Sequence, residues 1–587
     1  MLFGKHVNKY YKKYFWNFFF GILFLVAIDY IQLLLPEIIG NLSTSIQNQT
    51  ITINLVKQSL LYILLIALGM FVGRFLWRIC IFNESIKIQA DLRKEMFLKS
   101  EQLSQRYYKE NKTGAILSLY SNDLETIEEA FGFGIVLLVD GLFLGSLSLI
   151  KMFKLDYKLT LIACIPLFIL CACGVIIDRY MEKKYQTRQE AFEAMSDFSQ
   201  ENFTGIRVIK AFVKEGKELR QFAKINKHQL KVNVDFVRCG ALLDALIDLL
   251  IYSVIIIIMC LGGYYIYQSS IGASINFDSG KMITFLGYFD TIVWPVIALS
   301  QIINLVARSR TSLKRISKLL DEKIDISDEN TITLDHPIVG NVEFKDFSFS
   351  YPDKPDVKVL DNISFSIKAG ESVGIVGKIG SGKSTLVNIL FRLYNVEENS
   401  VFIDGVDIMH LPIKSIRENI GYAPQDNFLF SDTIENNIAF ALEDSTQTNI
   451  SEAAAFSDVK DNIESFKDKY KTMLGERGVT LSGGQKQRIS ISRAIIKNPP
   501  ILVLDDSVSA VDIKTEENIL HNISKKRRGK TTILISSRVS TVEHLDKILV
   551  LDNGHMEAFG THEQCLSTSP TYRHMVELQR LEKEMEG

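Results

Sequence analysis

The chain has 587 residues, too many for one hydrophobic core, so two or more domains are expected. Its 66 basic and 68 acidic residues leave a net charge of −2, which gives no electrostatic footprint for nucleic acid. The 47% hydrophobic share averages over unlike halves: residues before about 305 hold long apolar runs, and those after about 335 read as an ordinary soluble α/β domain.

The first residues place Lys5, Lys9, Lys12 and Lys13 among Tyr10, Tyr11 and Tyr14. That pattern suits an amphipathic helix over 1–16, lying on the inner membrane surface. A secretory signal is the competing reading, but no small-residue cleavage site follows the apolar run. Six stretches within 17–305 then reach the roughly 20 apolar residues that a bilayer core needs as helix. They are 17–39, 59–82, 131–153, 158–178, 241–267 and 282–305. Lys and Arg crowd 84–130 and 179–239, which belong in the cytosol, whereas 40–58 and 268–281 are poor in both and face outside. Lys151, Lys154 and Lys158 break this rule.

From Ser85 to Leu119 apolar residues keep helical spacing without a proline. A helix from 59 to about 108 would be roughly 75 Å long, more than twice the bilayer core. The helices are therefore expected to project into the cytosol and to end at breakers, Lys112-Thr113-Gly114 and Phe203-Thr204-Gly205. Asp29, Asp140, Asp244, Asp248 and Asp290 fall inside the spans with Arg74 and Arg78. Charges there pair or face the interior, so either ion pairs with the two arginines or a cation-accepting cavity is expected. Phe285, Tyr288, Phe289 and Trp294 read as packing or as cavity lining, with Pro295 allowing a kink. The seven cysteines read as small buried apolar residues in a reduced setting.

A charged connector over 306–338 leads to the second domain, 339–587. Val342-Glu343-Phe344 and Leu360 to Ile367 alternate as strands, and Glu371 to Val376 is a buried strand running into Gly377-Lys378-Ile379-Gly380-Ser381-Gly382-Lys383-Ser384. This strand–loop–helix context is what a phosphate-binding loop requires. Gly377, Gly380 and Gly382 let backbone N–H groups turn inward at phosphates, and the following helix adds its positive end. Lys383 would reach the β and γ phosphates of ATP, Ser384 would bind Mg²⁺, and Ser381 and Thr385 complete the nucleotide-binding set. Further on, Leu481-Ser482-Gly483-Gly484-Gln485 opens a helical pattern through Ala494, a second anion-binding terminus with nothing evident in its own domain to bind. Ile501-Leu502-Val503-Leu504 is an apolar strand ending in Asp505-Asp506.

Phosphate loop, LSGGQ and apolar strand plus aspartate, in this order, resemble ATPases of the ATP-binding cassette (ABC) family. The resemblance covers essentially the whole chain. It implies a helical six-span membrane domain with long cytosolic extensions, then an α/β ATPase domain with a helical subdomain. Tyr351 matches the family's adenine-stacking aromatic, Gln425 the glutamine that senses Mg²⁺ and the γ-phosphate, and Asp505 a metal-binding aspartate. Leu474-Gly475-Glu476-Arg477-Gly478 resembles a segment typical of exporters, Ser509-Ala510-Val511-Asp512 a loop crossing the dimer interface, and Asn202 to Phe212 a coupling region. Two positions depart from the pattern: Asp506 stands where the catalytic glutamate is expected, and Ser537 where the switch histidine is expected. The implied function is ATP-driven export across the cytoplasmic membrane, with the ATPase in the cytosol. This chain would be the slow-site half of a heterodimer with a second ABC half-transporter, moving a hydrophobic or amphipathic compound. A homodimeric exporter, a lipid flippase and an exporter-fold importer of metal chelates are the alternatives.

Overall fold

Apolar backbone in a bilayer must satisfy its hydrogen bonds internally, and the computed structural model builds every long apolar run of the first half as helix. It describes residues 4–271, 277–328, 331–332, 334–475, 478, 480–509 and 511–586. By internal packing the chain divides into two units, Met1–Glu101 with Thr113–Asp321, and Gln102–Lys112 with Glu322–Gly587.

In the first unit a short helix α1 (Asn8–Lys13) precedes α2 (Phe15–Gln32) and α3 (Leu34–Gln47). In α1, Lys13 pairs with Asp91 at 2.5 Å and Lys9 with Glu95, and just before it Lys5 pairs with Asp321 at 2.7 Å. Then come α4 (Ile53–Gln102), α5 (Gln105–Glu110), which belongs to the second unit, and α6 (Thr113–Ser118), back in the first. Helices α7 (Leu124–Phe131), α8 (Phe133–Val139) and α9 (Gly145–Leu155) follow, with one π-turn at Leu119–Asp123 before α7 and another at Asp140–Leu144 between α8 and α9. Last are α10 (Tyr157–Thr204), α11 (Ile206–Ala211), α12 (Glu215–Ser270) and α13 (Ser279–Asp321).

Five helical stretches among the described residues are long and apolar enough to cross a membrane. The fourth expected span, 158–178, lies in α10, where the apolar stretch runs Tyr157–Pro166; the side chains of 167 and 170–179 are outside the described residues. Leu64, Leu68, Phe71 and Phe75 of α4 are exposed, as lipid-facing residues would be.

Several expectations are corrected. The long cytosolic helix α4 stops at Gln102, and Gly114 lies inside α6 instead of breaking the chain. Ser104, in extended backbone at ψ 161, caps α5, and its hydroxyl is drawn off to Asp325 at 2.9 Å, so the turn falls there. At the other projection Gly205 ends α10 and the short α11 follows. The first part of the expected connector is helix, because Ser309, Ser312, Leu313, Ile316 and Leu319 bury one face of α13 beneath the charged residues between them. Arg74 and Arg78 form no ion pair with the five aspartates among the described residues. Asp29 and Asp140 are buried, Asp140 accepting from Trp294 Nε1 at 2.7 Å, while Asp244, Asp248 and Asp290 are exposed. Lys151, the misfit of the charge rule, pairs with Glu37 at 2.5 Å, and Glu37 also accepts from Tyr288. Phe285, Tyr288 and Phe289 are packed in a core with Leu33, Met152 and Ile258, so they do not line a cavity. Of the five cysteines described, only Cys565 is fully buried, and Cys260 is exposed.

Helices α3 and α13 approach through small residues. A Cβ on Gly40 would lie 1.9 Å from Thr284 Oγ1, and one on Gly280 would lie 2.2 Å from the Gly40 carbonyl. Thr284 Oγ1 donates to Gly280 O at 2.9 Å, and Thr44 Oγ1 donates to Asp278 Oδ2 at 3.0 Å. Such contacts replace the hydrophobic drive that lipid cannot supply between helices.

In the second unit β1 (Val342–Ser350), β2 (Lys358–Ile367), β4 (Val401–Ile403) and β5 (Val406–Asp407) form a four-stranded sheet ordered β2-β1-β4-β5. The second sheet holds β3 (Ser372–Gly377), β6 (Ile420–Ala423), β7 (Ile501–Asp505), β8 (Thr531–Ile535), β9 (Lys547–Asp552) and β10 (His555–Gly560). Its order is β10-β9-β3-β8-β7-β6, parallel except for β10. One apolar core lies between the sheets, with Phe344, Phe347, Ile363, Ile375 and Leu549; a second joins the opposite side to the helical region with Ile434, Ile450, Ile489 and Leu502.

The α3–α13 contact gives the first prediction. Gly280→Val should destabilise the protein by about 1–3 kcal/mol through overpacking, read as a lower unfolding midpoint in nanodiscs. Gly263→Ala, inside α12 at a position whose Cβ would meet nothing within 4 Å, should not lower the midpoint.

Candidate functional site

Four neighbouring parallel strands end at one edge of the six-stranded sheet, and an expected motif follows each. β3 ends at Gly377, β8 runs on to Ser537, β7 ends at Asp505, and β6 ends just before Pro424 and Gln425. The carboxyl edge of such a sheet is where ligands bind, because the strands deliver loops and helix N-termini to one place.

The phosphate loop is shaped by close backbone approach. A Cβ on Gly377 would sit 2.1 Å from Leu551 O, and one on Gly382, at φ +98, would sit 2.6 Å from Leu360 Cδ2. Only glycine fits either position. Helix α14 (Lys383–Leu390) starts at the lysine, whose Nζ donates to the carbonyls of Gly377 at 2.8 Å and Lys378 at 2.9 Å. Ser384 Oγ donates to Asp505 Oδ1 at 3.5 Å, and Ser381 Oγ is buried without a partner. Burial pushes the Asp505 and Asp506 carboxyls up and the Lys383 ammonium down, while Lys383 opposes the rise at both acids. A hydroxyl and a carboxylate at one small volume are hard oxygen donors that suit Mg²⁺, and the curled loop with Lys383 and an unpartnered hydroxyl suits a polyphosphate.

The two departures from the family pattern meet here. Asp506 has φ +46, in the left-handed region that aspartate tolerates better than most residues, and its N–H donates to Ile535 O at 3.0 Å. Its Oδ1 is buried without a partner, and its carboxylate is stabilised by Ser509 and the Ser537 N–H against the effect of burial. Ser537 itself is exposed. Gln579, on the helix Pro570–Glu586, pins the segment around it, donating to Ser537 O at 3.1 Å and accepting from Val539 N–H at 2.8 Å. Gln425 is exposed, and its side chain makes no hydrogen bond among the described residues.

Tyr351 bonds through its hydroxyl to Thr385 Oγ1 at 2.9 Å, and meets Phe349 and Tyr394 edge-on, each at 5.2 Å. Ser482 caps the helix Gly483–Ile495 in a reciprocal box with Gln485, at 3.0 and 3.3 Å. Ser482 and Gly483 are exposed, and a Cβ on Gly483 would meet nothing within 4 Å. Nothing packed there among the described residues calls for a glycine. Glu476, Arg477 and Ala510 lie outside the described residues. Sequence reasoning passed over Gln579 and Tyr422, whose hydroxyl bonds to Asp505. Tyr422 carried a signal, since β6 is the strand next to β7; Gln579 carried none.

Comparison with known proteins matches residues 18–296 to the ABC transporter transmembrane region and 360–509 to the ABC transporter family. The chain is 32% identical to the probable multidrug resistance ABC transporter ATP-binding/permease protein YheI of Bacillus subtilis, over 99% of this chain and 98% of that one. It is also 32% identical to the multidrug resistance-like ATP-binding protein MdlA of Escherichia coli, over 97% and 95%. Its fold matches a bacterial Atm1-family ABC exporter solved with ATP bound, with a TM-score of 0.76, 24% identity, and coverage of 95% and 98%.

Because Lys383 bonds only to loop carbonyls among the described residues, Lys383→Met should leave the unfolding midpoint without nucleotide nearly unchanged. At a hundredfold excess over Kd, ATP stabilises a binding protein by about 2.7 kcal/mol. That shift should be present in the wild type and absent from Lys383→Met, as measured by thermal unfolding with and without ATP.

Proposed function

This chain belongs to the ABC transporter family, a membrane protein coupling ATP hydrolysis to transport, and from that premise we propose that it is one half of a two-chain exporter. Its own pocket, built from Tyr351, Gly377, Gly380, Ser381, Gly382, Lys383, Ser384 and Thr385, binds ATP with Mg²⁺ on Ser384, Gln425 and Asp505. It turns the nucleotide over slowly. Ser482, Gly483, Gly484 and Gln485 complete a faster pocket on a different subunit.

The observation that carries this reading is the pairing of an intact, outward-facing signature with a damaged catalytic pair. Gly483 is exposed, and a Cβ there would meet nothing within 4 Å among the described residues, which supports a role for its missing side chain outside this chain. Asp506 is one methylene short of glutamate. A shift of that size at an attacking water can cost ~10²-fold in rate. Ser537 offers a hydroxyl but no imidazole to hold the γ-phosphate or orient the water. ATP binding would close the two nucleotide domains face to face, and the cytosolic helix ends would turn closure into opening of the membrane half. The multidrug names of the relatives support a hydrophobic or amphipathic cargo.

The test restores what is missing. Asp506→Glu combined with Ser537→His should raise hydrolysis at this pocket by about 10²-fold, measured on the full-length protein with the partner's own pocket disabled. Turnover by the purified wild-type chain alone at roughly 10 per second, abolished by Asp506→Ala, would sink the slow-pocket reading and leave a homodimer.

A further inference from the structure

Residues 102–112 pack within the nucleotide unit, although the chain on either side belongs to the other unit. Their anchor is Asp325. Arg106 sets Nε at 3.0 Å and Nη2 at 3.1 Å on its two oxygens, and Ser104 Oγ donates to it at 2.9 Å. A bidentate guanidinium–carboxylate fork fixes orientation as well as position, and Tyr107 is buried beside it. The fork therefore aims Lys109 instead of leaving it to wander in solvent.

Lys109 Nζ lies 4.6 Å from the centroid of the Tyr351 ring and 5.5 Å from that of Tyr394. The Tyr394 hydroxyl hydrogen-bonds the ammonium and itself donates to Gln105 Oε1 at 3.4 Å; Asp353 adds attraction. Tyr351 is immobilised in turn by Thr385, Phe349 and Tyr394. An aromatic ring stacking on Tyr351 needs a centroid separation of about 4.5–7 Å. The ammonium already occupies that shell. A cation over a tyrosine face is attracted by the ring quadrupole, so it does not leave without a competitor.

We propose that Lys109 competes with the nucleotide base for the Tyr351 ring, so that segment 102–112 sets how strongly this pocket prefers a nucleotide over a bare polyphosphate. The inference rests on the assignment of Tyr351 to the base. When the base arrives, Lys109 gives up the ring but keeps Tyr394. The segment that carries it follows directly on α4 in the chain.

The experiment measures equilibrium binding of ATP and of inorganic tripolyphosphate to the full-length protein in nanodiscs, without Mg²⁺ so that nothing is hydrolysed. Lys109→Ala should raise the ATP-to-tripolyphosphate affinity ratio by roughly threefold to thirtyfold. Lys109→Arg, which stacks on aromatic faces as well, should leave the ratio near the wild-type value. Tyr351→Ala should lower the ratio, and adding Lys109→Ala to it should have no further effect. An unchanged or lower ratio in Lys109→Ala, with Tyr351→Ala still lowering it, overturns the role of Lys109 alone. No effect of Tyr351→Ala overturns the base assignment beneath it.

Discussion

The parallel pairing of β3 with β8, and of β8 with β7, is the constraint on which the rest of the nucleotide unit depends. Ile375 faces Ile535 across β3 and β8, and Asp505 faces the same Ile535 across β8 and β7. One register therefore brings the phosphate loop, the Asp505-Asp506 pair and the Ser537 segment to a single edge. The buried apolar strands fix that register, because a slip by one residue would turn every buried side chain of the sheet to its other face. β9 adds the last restraint. Its pairing with β3 presses Leu551 O against Gly377 and leaves the loop no room for a side chain.

Within that frame, binding and bond cleavage draw on different residues. Lys383, Ser384 and Asp505 are intact and mutually close, and they are the groups that would hold charge on a bound nucleotide. The groups that would position water are Asp506 and the residue at 537, and both are altered. They also stabilise each other, since the Ser537 N–H favours the charged form of Asp506. On the proposed reading, such a pocket would hold its ligand for longer than it cleaves it. An exposed signature helix whose first glycine meets nothing within 4 Å among the described residues is what prompts the proposal that this chain lends chemistry to a neighbour.

The parts legible in the sequence were those whose residue types are dictated locally. The glycine spacing of 377–382, the Ser482–Gln485 capping box and the apolar run of β7 need no distant neighbour to be recognised. The long helices were legible from apolar length alone. What escaped depended on tertiary partners. Arg308, Arg310, Lys314, Arg315 and Lys318 made 306–321 look like a connector, although Ser309, Ser312, Leu313, Ile316 and Leu319 recur at helical spacing and are buried. Lys151 looked like an error of charge topology until Glu37 was seen beside it. The turn at Ser104 needs no glycine because Asp325, far along the chain, takes its hydroxyl. Lys109 and Gln579 are ordinary surface residue types, and only the fold brings them to the pocket.

Trapping hydrolysed nucleotide in place tests the clamp most directly. The assembled transporter is turned over with a photoreactive ATP in the presence of orthovanadate, and the labelled chain is identified. If this pocket is a slow clamp, the trapped label lies on the partner subunit, and replacing Gly483 in this chain abolishes it. Equal trapping on this chain, at the pocket of Lys383 and Tyr351, would contradict it.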